Sequence, residues 1–391
     1  MPILEHDLDP EVRRQLPLLT VGRLVGNGAS RLTVPFLGVI GRSLGVPIST
    51  MGTAASAGDF TGLLAPFIGR RLDRGHHAHA MTAGMVLVAI GATVAASSPG
   101  ALVIGVAFVV ISLGKLLYDP AVSTWASERV DYARRARVIG FLELSWAGSM
   151  LVVVPLLGLI VAGPGWRWAY ALMAAAAAVM ALVVRRRVPD DPAQRAERVR
   201  GTRFRFTRVT LTGLAGFGLL MTASNAAFVV FGAWLGDAFG FSPAVIGLAA
   251  VLLGLAELGA TAATIRITDR IGKRTAVSLG AALMVPTALA LGLVGHRAWL
   301  GLGLFAVFVL GFEFAIVSGL PLVAELQTDA RAAGLGLAVG LGTMGRGVMS
   351  IVSTRLYEAH GIGGSGVLSA ACAACVVAAY GLGLRRQTRL R

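Results

Sequence analysis

Apolar positions along this chain fall into runs of about 20 residues, the length that spans hydrocarbon as a helix, and the polar positions between them are rich in arginine. Glycines recur inside the runs, which membrane helices tolerate. The pattern predicts twelve spans, numbered here 1 to 12 in chain order. In the first half they cover about 16–42, 47–69, 79–98, 100–125, 138–162 and 167–184. In the second half they cover about 209–236, 242–266, 275–295, 298–323, 332–356 and 362–384. Between the halves, Arg185 to Arg208 holds nine arginines with Asp190, Asp191, Glu197 and two prolines, and reads as a polar linker. The expected division is therefore 1–184, linker 185–208, and 209–391.

Composition supports a polytopic membrane protein: 55% of residues are hydrophobic, 14% are charged, and mean hydropathy is +0.75. Met1 to Gln15 is polar and carries Glu5, Asp7, Asp9 and Glu11, so the first span is expected to remain in the membrane. The formal charge of +15 raises the question of nucleic acid, which the placement of the basic residues answers. Of 35 Lys and Arg, 26 fall in segments on the side of Met1 and only Arg42, Arg167, Arg297 and Arg355 on the other. The positive-inside rule then makes both termini and the linker cytoplasmic and explains the charge without nucleic acid. Attraction of the linker to anionic lipid remains compatible.

Cys372 and Cys375 sit among Ala and Val with nothing to activate a thiolate, and read as small packing residues. The six histidines fall in predicted tails and loops, and no phosphate-binding glycine loop is present. No metal, cofactor or catalytic role is expected, and the chain reads as something other than an enzyme.

The stretch from Gly58 to His77 ends an apolar run in Gly69-Arg70-Arg71-Leu72-Asp73-Arg74-Gly75. A second copy, Ile265-Arg266-Ile267-Thr268-Asp269-Arg270-Ile271-Gly272-Lys273-Arg274, lies 196 residues later, about half the chain. Upstream, Leu44 to Gly52 is matched by Phe239 to Gly247 at an offset of 195, so the chain is an internal duplication. The spacing of Gly69, Asp73, Arg74 and Gly75 resembles the signature loop between helices 2 and 3 of the major facilitator superfamily. Gly165-Trp166-Arg167-Trp168 resembles that family's opening of helix 6, and Arg134-Arg135-Ala136-Arg137 its lead into helix 5. Pro155-Leu156-Leu157-Gly158 resembles part of the Gly-Pro motif of proton-coupled exporters, with Val154 where Gly precedes Pro. Span 4 carries Phe108 where the exporter pattern has Arg.

The resemblance implies an all-α membrane protein of twelve transmembrane helices in two pseudo-symmetric six-helix bundles. Helices 1, 4, 7 and 10 would line a central cavity, helices 2, 5, 8 and 11 would form the seam, and the rest would pack outside. It also implies a conformational latch on the cytoplasmic side, built from Gly69, Arg70, Asp73, Arg74 and Gly75 with Asp269, Arg270 and Gly272 in the second copy.

Charges inside the spans fit this arrangement, because none lies in spans 3, 6, 9 or 12. Ionised groups there cost on the order of 2.5–3.5 kcal/mol even on insertion scales, so each should face a partner or water. The candidates for substrate and proton coupling are Arg23, Asn27, Arg31, Asp59, Lys115, Asp119, Glu143, Asn225, Glu257, Glu313 and Arg346. Arg23, Asn27 and Arg31 form one stripe at i, i+4 spacing. Counting from span ends puts Arg31 level with Asp59 and predicts that they pair. It also puts Glu257, Glu313 and Arg346 at one depth, with Arg346 shared by two acids and Glu257 its permanent partner. The carboxylate left poorly compensated, Glu313, is the candidate proton carrier.

The expected function is secondary transport of a small organic solute by alternating access, with export by proton antiport ahead of proton-driven uptake of an anionic metabolite. A monomer in the cytoplasmic membrane is expected, with the bilayer, protons and the solute as its partners.

Overall fold

A computed structural model describes residues 10–65, 67–68, 77–189, 207–326 and 331–383; these are α-helical throughout, with short turns between. The first bundle contains α1 (Pro10–Arg31 continued by Thr33–Leu44), α2 (Ile48–Phe60 with a final tight turn Thr61–Leu64) and α3 (His77–Ala96). It is completed by α4 (Ala101–Glu128), α5 (Tyr132–Gly148, the wide turn Ser149–Val153, then Val154–Ala162) and α6 (Trp166–Arg187). The second bundle contains α7 (Arg208–Phe228 continued by Phe231–Phe239), α8 (Pro243–Ile271), α9 (Lys273–Val294) and α10 (Ala298–Glu325). The stretch Arg331–Ala378 holds both remaining helices, α11 and α12, which reverse at Gly361 (φ 62°). The hydrogen bond between the Ser353 and Ser365 hydroxyls, 2.8 Å, requires that reversal, because twelve residues of straight helix would hold them about 18 Å apart.

The duplication is visible in the backbone. Gly45 (φ 67°) ends α1 and Gly240 (φ 64°) ends α7, while Gly165 (φ 108°) precedes α6 as Gly361 precedes α12. Among the described residues only glycine has positive φ, the conformation in which Cβ is most costly. Close packing repeats too, with Gly84 against the Gly114 carbonyl between α3 and α4, and Gly280 against that of Gly311 between α9 and α10.

The Pro10 face of the bundle is the one carrying the chain's first described residue; the opposite Gly45 face carries the α1–α2 turn. Three seams join the halves. Along α1 and α7, a Cβ on Gly232 would collide with the Pro35 carbonyl, and Gly38 lies against Ala233. Along α2 and α11, Gly52 fits against Thr354 and the Ser350 carbonyl, Gly347 against Phe60, and Gly62 against Thr343. Along α5 and α8, Gly158 lies on Gly247 and Gly254 on Leu151. At the Gly45 face Arg42 also pairs with Asp237 at 2.8 Å, Tyr357 donates to Asp237 at 2.9 Å, and the Ser49 amide donates to Glu358 at 2.9 Å. Arg42 and Asp237 are 195 residues apart, the repeat offset itself.

Three features differ from the sequence expectation. Span 1 is broken at Leu32, because Pro35 has no N–H to give the Arg31 carbonyl, and α7 is broken at the matching depth. Ahead of Pro155 in α5 the helix widens over Ser149–Val153, the usual accommodation of such a loss. His77 and His79 lie inside α3 rather than in a loop, and His77 meets Glu128 at 3.0 Å.

Candidate functional site

Breaking α1 at Leu32 leaves Arg31 at the end of its first segment, half-way through the membrane span. Both terminal nitrogens of Arg31 lie 3.3 Å from Oε1 of Glu257 on α8, and its guanidinium stacks on Trp146 of α5, 3.7 Å from the ring centroid. Arg31 and Glu257 are buried, at 8% and 4% exposure, and Oε2 of Glu257 has no hydrogen-bond partner among the described residues. Glu313 on α10 is equally buried, within electrostatic reach of Glu257 and Arg31 and within hydrogen-bonding reach of Trp146. A second carboxylate thus lies near the Arg31–Glu257 pair in a medium where charge is poorly screened.

The other central pair joins α2 to α11. Arg346 Nε lies 3.3 Å from Asp59 Oδ1, and Ser350 donates to Asp59 Oδ2 at 3.5 Å. Asn225 on α7 braces this pair from the side, donating to the Arg346 carbonyl at 2.8 Å and to the Ser350 hydroxyl at 2.9 Å.

These distances correct two expectations. Arg31 does not pair with Asp59, and Arg346 is not the partner of Glu257; the partners are exchanged across the seam. Depth counting gives the height of a residue on its helix but not its azimuth. Helix α2 turns Asp59 toward α11, and the broken α1 turns Arg31 toward α5 and α8. The base beside Glu257 is therefore Arg31 rather than Arg346, and Glu313 lies near that pair without bonding Arg31.

Nearer the Pro10 face, a third cluster lies within the first bundle. Arg23 reaches Glu143 at 2.9 Å and Asp119 at 3.6 Å, and Lys115 reaches Asp119 at 3.0 Å. Lys115 also donates to Asn27, which in turn donates to the Ser145 carbonyl at 3.2 Å. The predicted stripe of Arg23, Asn27 and Arg31 is thus one face of α1 with an acidic residue or a bridging lysine at each level.

Of the expected latch residues, Gly69, Arg70, Asp73, Arg74 and Gly75 lie outside the described residues. In the second copy, Asp269 and Arg270 are exposed in the last turn of α8, and Gly272 (φ 83°) makes the one-residue turn into α9. Sequence reasoning missed Trp146 and Ser350, which carried no signal beyond being an aromatic and a hydroxyl in apolar spans. The Arg42–Asp237 pair was also missed, although its 195-residue spacing was a usable signal.

Two repeated bundles, sealed along glycine seams and bridged by the Arg31–Glu257 and Asp59–Arg346 pairs, have the build of a membrane transporter. The sequence model of the major facilitator superfamily matches residues 19–354, and the chain belongs to that superfamily. No curated protein matches it significantly by sequence. Among solved structures, a bacterial homolog of the human lysosomal transporter Spinster, inward-facing and occupied, superposes with TM-score 0.79 at 12% identity, covering 96% of this chain and 97% of that one. The nucleoside transporter NupG gives 0.75 at 15% identity over 96% and 99%. A D-xylose–proton symporter gives 0.75 at 15% identity over 92% and 96%. At these identities the likeness concerns the fold.

Proposed function

We propose that this transporter exports a small organic solute by alternating access in exchange for protons, and that Glu313 with Glu257 carries the proton. The observation behind this reading is the buried Arg31–Glu257 pair between the halves with a second buried carboxylate, Glu313 on α10, close enough to interact with both charges. One negative charge is left over, and a single proton cancels it. A proton on Glu257 also weakens its hold on Arg31, a bridge between the halves, so proton occupancy bears directly on the seam. Export is favoured by the exporter-like Pro155 to Gly158 segment, whose Gly158 packs on Gly247 of α8.

In the same reading the Pro10 face is cytoplasmic, the linker 185–208 separates two functional halves, and the protein works as a monomer. Closure of the Gly45 face by Arg42, Asp237, Tyr357 and Glu358 then corresponds to a state closed to the outside. Proton-driven uptake of an anion is the second reading. The arginines of α1 are held by carboxylates, whereas the terminal nitrogens of Arg346 make no hydrogen bond among the described residues.

The test uses proteoliposomes containing a trapped pH-sensitive dye, with candidate solutes added under an imposed pH gradient. A transported solute should move protons in the opposite direction, and Glu313→Gln should abolish proton movement while solute exchange persists. Proton movement alongside the solute would establish uptake instead. A Glu313→Gln protein that still couples flux to the gradient would falsify the assignment.

A further inference from the structure

The Asp59–Arg346 pair borders a cavity of about 70 Å³ between the halves. That is room for on the order of five water molecules, or a solute of similar heavy-atom count. Ser30, Ser112 and Asn225 supply polar wall, and Phe108 and Val229 supply apolar wall. Both bundles contribute, and the two charged groups lie at the same wall.

The arginines between the helices are not equivalent. Arg31 spends both terminal nitrogens on Glu257 and is 8% exposed. Arg346 meets Asp59 only through Nε, its terminal nitrogens make no hydrogen bond among the described residues, and its side chain is 30% exposed. A planar fork of two N–H groups left open beside a cavity matches a carboxylate or a similar oxyanion. Asp59, 21% exposed, offers the opposite charge alongside it.

We propose that this cavity takes a small zwitterion, an amino-acid-sized solute whose ammonium meets Asp59 and whose oxyanion takes the terminal fork of Arg346. A simple anion at that fork lies against Asp59, and a simple cation lies against Arg346. Either leaves a net charge in a weakly screened site. A zwitterion satisfies both groups and keeps the site neutral. Because Asp59 belongs to α2 and Arg346 to α11, the bound solute also replaces a direct bridge between the halves by one that runs through itself. The inference rests on the transporter reading for its role as a substrate site, but not on the direction of transport or on protons.

The test is a binding measurement on the full chain in lipid nanodiscs, by melting shift and calorimetry. The probes are glycine, alanine and serine, with ethylamine and propionate as the two half-molecules. At least one amino acid should raise the melting temperature in a concentration-dependent way, and each half-molecule should bind at least tenfold more weakly. Arg346→Lys keeps the charge and loses the fork, so its unliganded melting temperature should stay near that of the parent while amino-acid binding falls at least tenfold. Asp59→Asn removes the acceptor for the amine end, so amino-acid binding should fall at least tenfold there too, whatever its own melting temperature. The proposal is overturned if no probe zwitterion binds, if a half-molecule binds as well as the zwitterion, or if both variants bind unchanged. Amino-acid binding without pH-driven flux would contradict proton coupling and leave this site standing.

Discussion

Arg31 is the group whose removal should do most damage, and the exchange of partners makes the effect specific. Replacing one member of a buried ion pair costs about 3–5 kcal/mol, because the survivor is left charged and unpaired. In Arg31→Gln the survivors are two, Glu257 and Glu313, and the stacking on Trp146 is lost as well, worth about 0.5–2 kcal/mol. In Glu257→Gln the guanidinium keeps its stacking on Trp146 and the nearby charge of Glu313, so the loss should stay at or below the lower end of that range. Arg31→Gln should therefore be the more destabilising of the two, and the double variant should be milder than the sum of the singles. Reversible unfolding in mixed micelles, run as a double-mutant cycle, gives the coupling. A value of at least about 1.5 kcal/mol is expected for Arg31 with Glu257, and additivity within about 0.5 kcal/mol for Arg31 with Asp59. A cycle that couples Arg31 to Asp59 and leaves Glu257 independent would refute the pairing.

Other consequences follow from the seams and turns. Gly52→Ala places a methyl 2.2 Å from the Thr354 hydroxyl and 2.3 Å from the Ser350 carbonyl. It should destabilise the state closed at the Gly45 face by about 1–3 kcal/mol, seen as faster labelling of a cysteine placed at Ser49. Gly361→Ala forces a side chain into positive φ at the α11–α12 reversal and should lower stability by about 1–2 kcal/mol, measured by unfolding, with the fold retained. Arg42→Gln removes an exposed pair and should change stability by no more than about 1 kcal/mol while broadening the distance between the ends of α1 and α7 in spin-label measurements.

Much of this molecule could be read from its sequence because hydrocarbon is a strict solvent. Runs of about 20 apolar residues have one structural outcome, and charges placed inside them must meet something. Arg31, Asp59, Glu257, Glu313 and Arg346 were singled out that way, and each lies on the helix expected to carry it. Their pairing was not legible, since height along a span follows from counting while azimuth follows from packing. Pro35 was the overlooked signal: it breaks α1 one turn beyond Arg31 and sets the direction in which that arginine points. The duplication was legible at the Gly45 and Gly240 turns, and taken one step further it would have matched Arg42 with Asp237.

In the proposed mechanism the halves move about the Arg31–Glu257 bridge under the control of a proton at Glu257 and Glu313. Spin labels at Ser43 and Ala238, exposed positions near the Gly45-face ends of α1 and α7, report the opening of that face. In nanodiscs the native chain should give two distance populations whose ratio changes with pH, and Glu313→Gln should give a ratio independent of pH. A single distribution unmoved by pH, or a Glu313→Gln protein that responds as the native one does, would contradict the account.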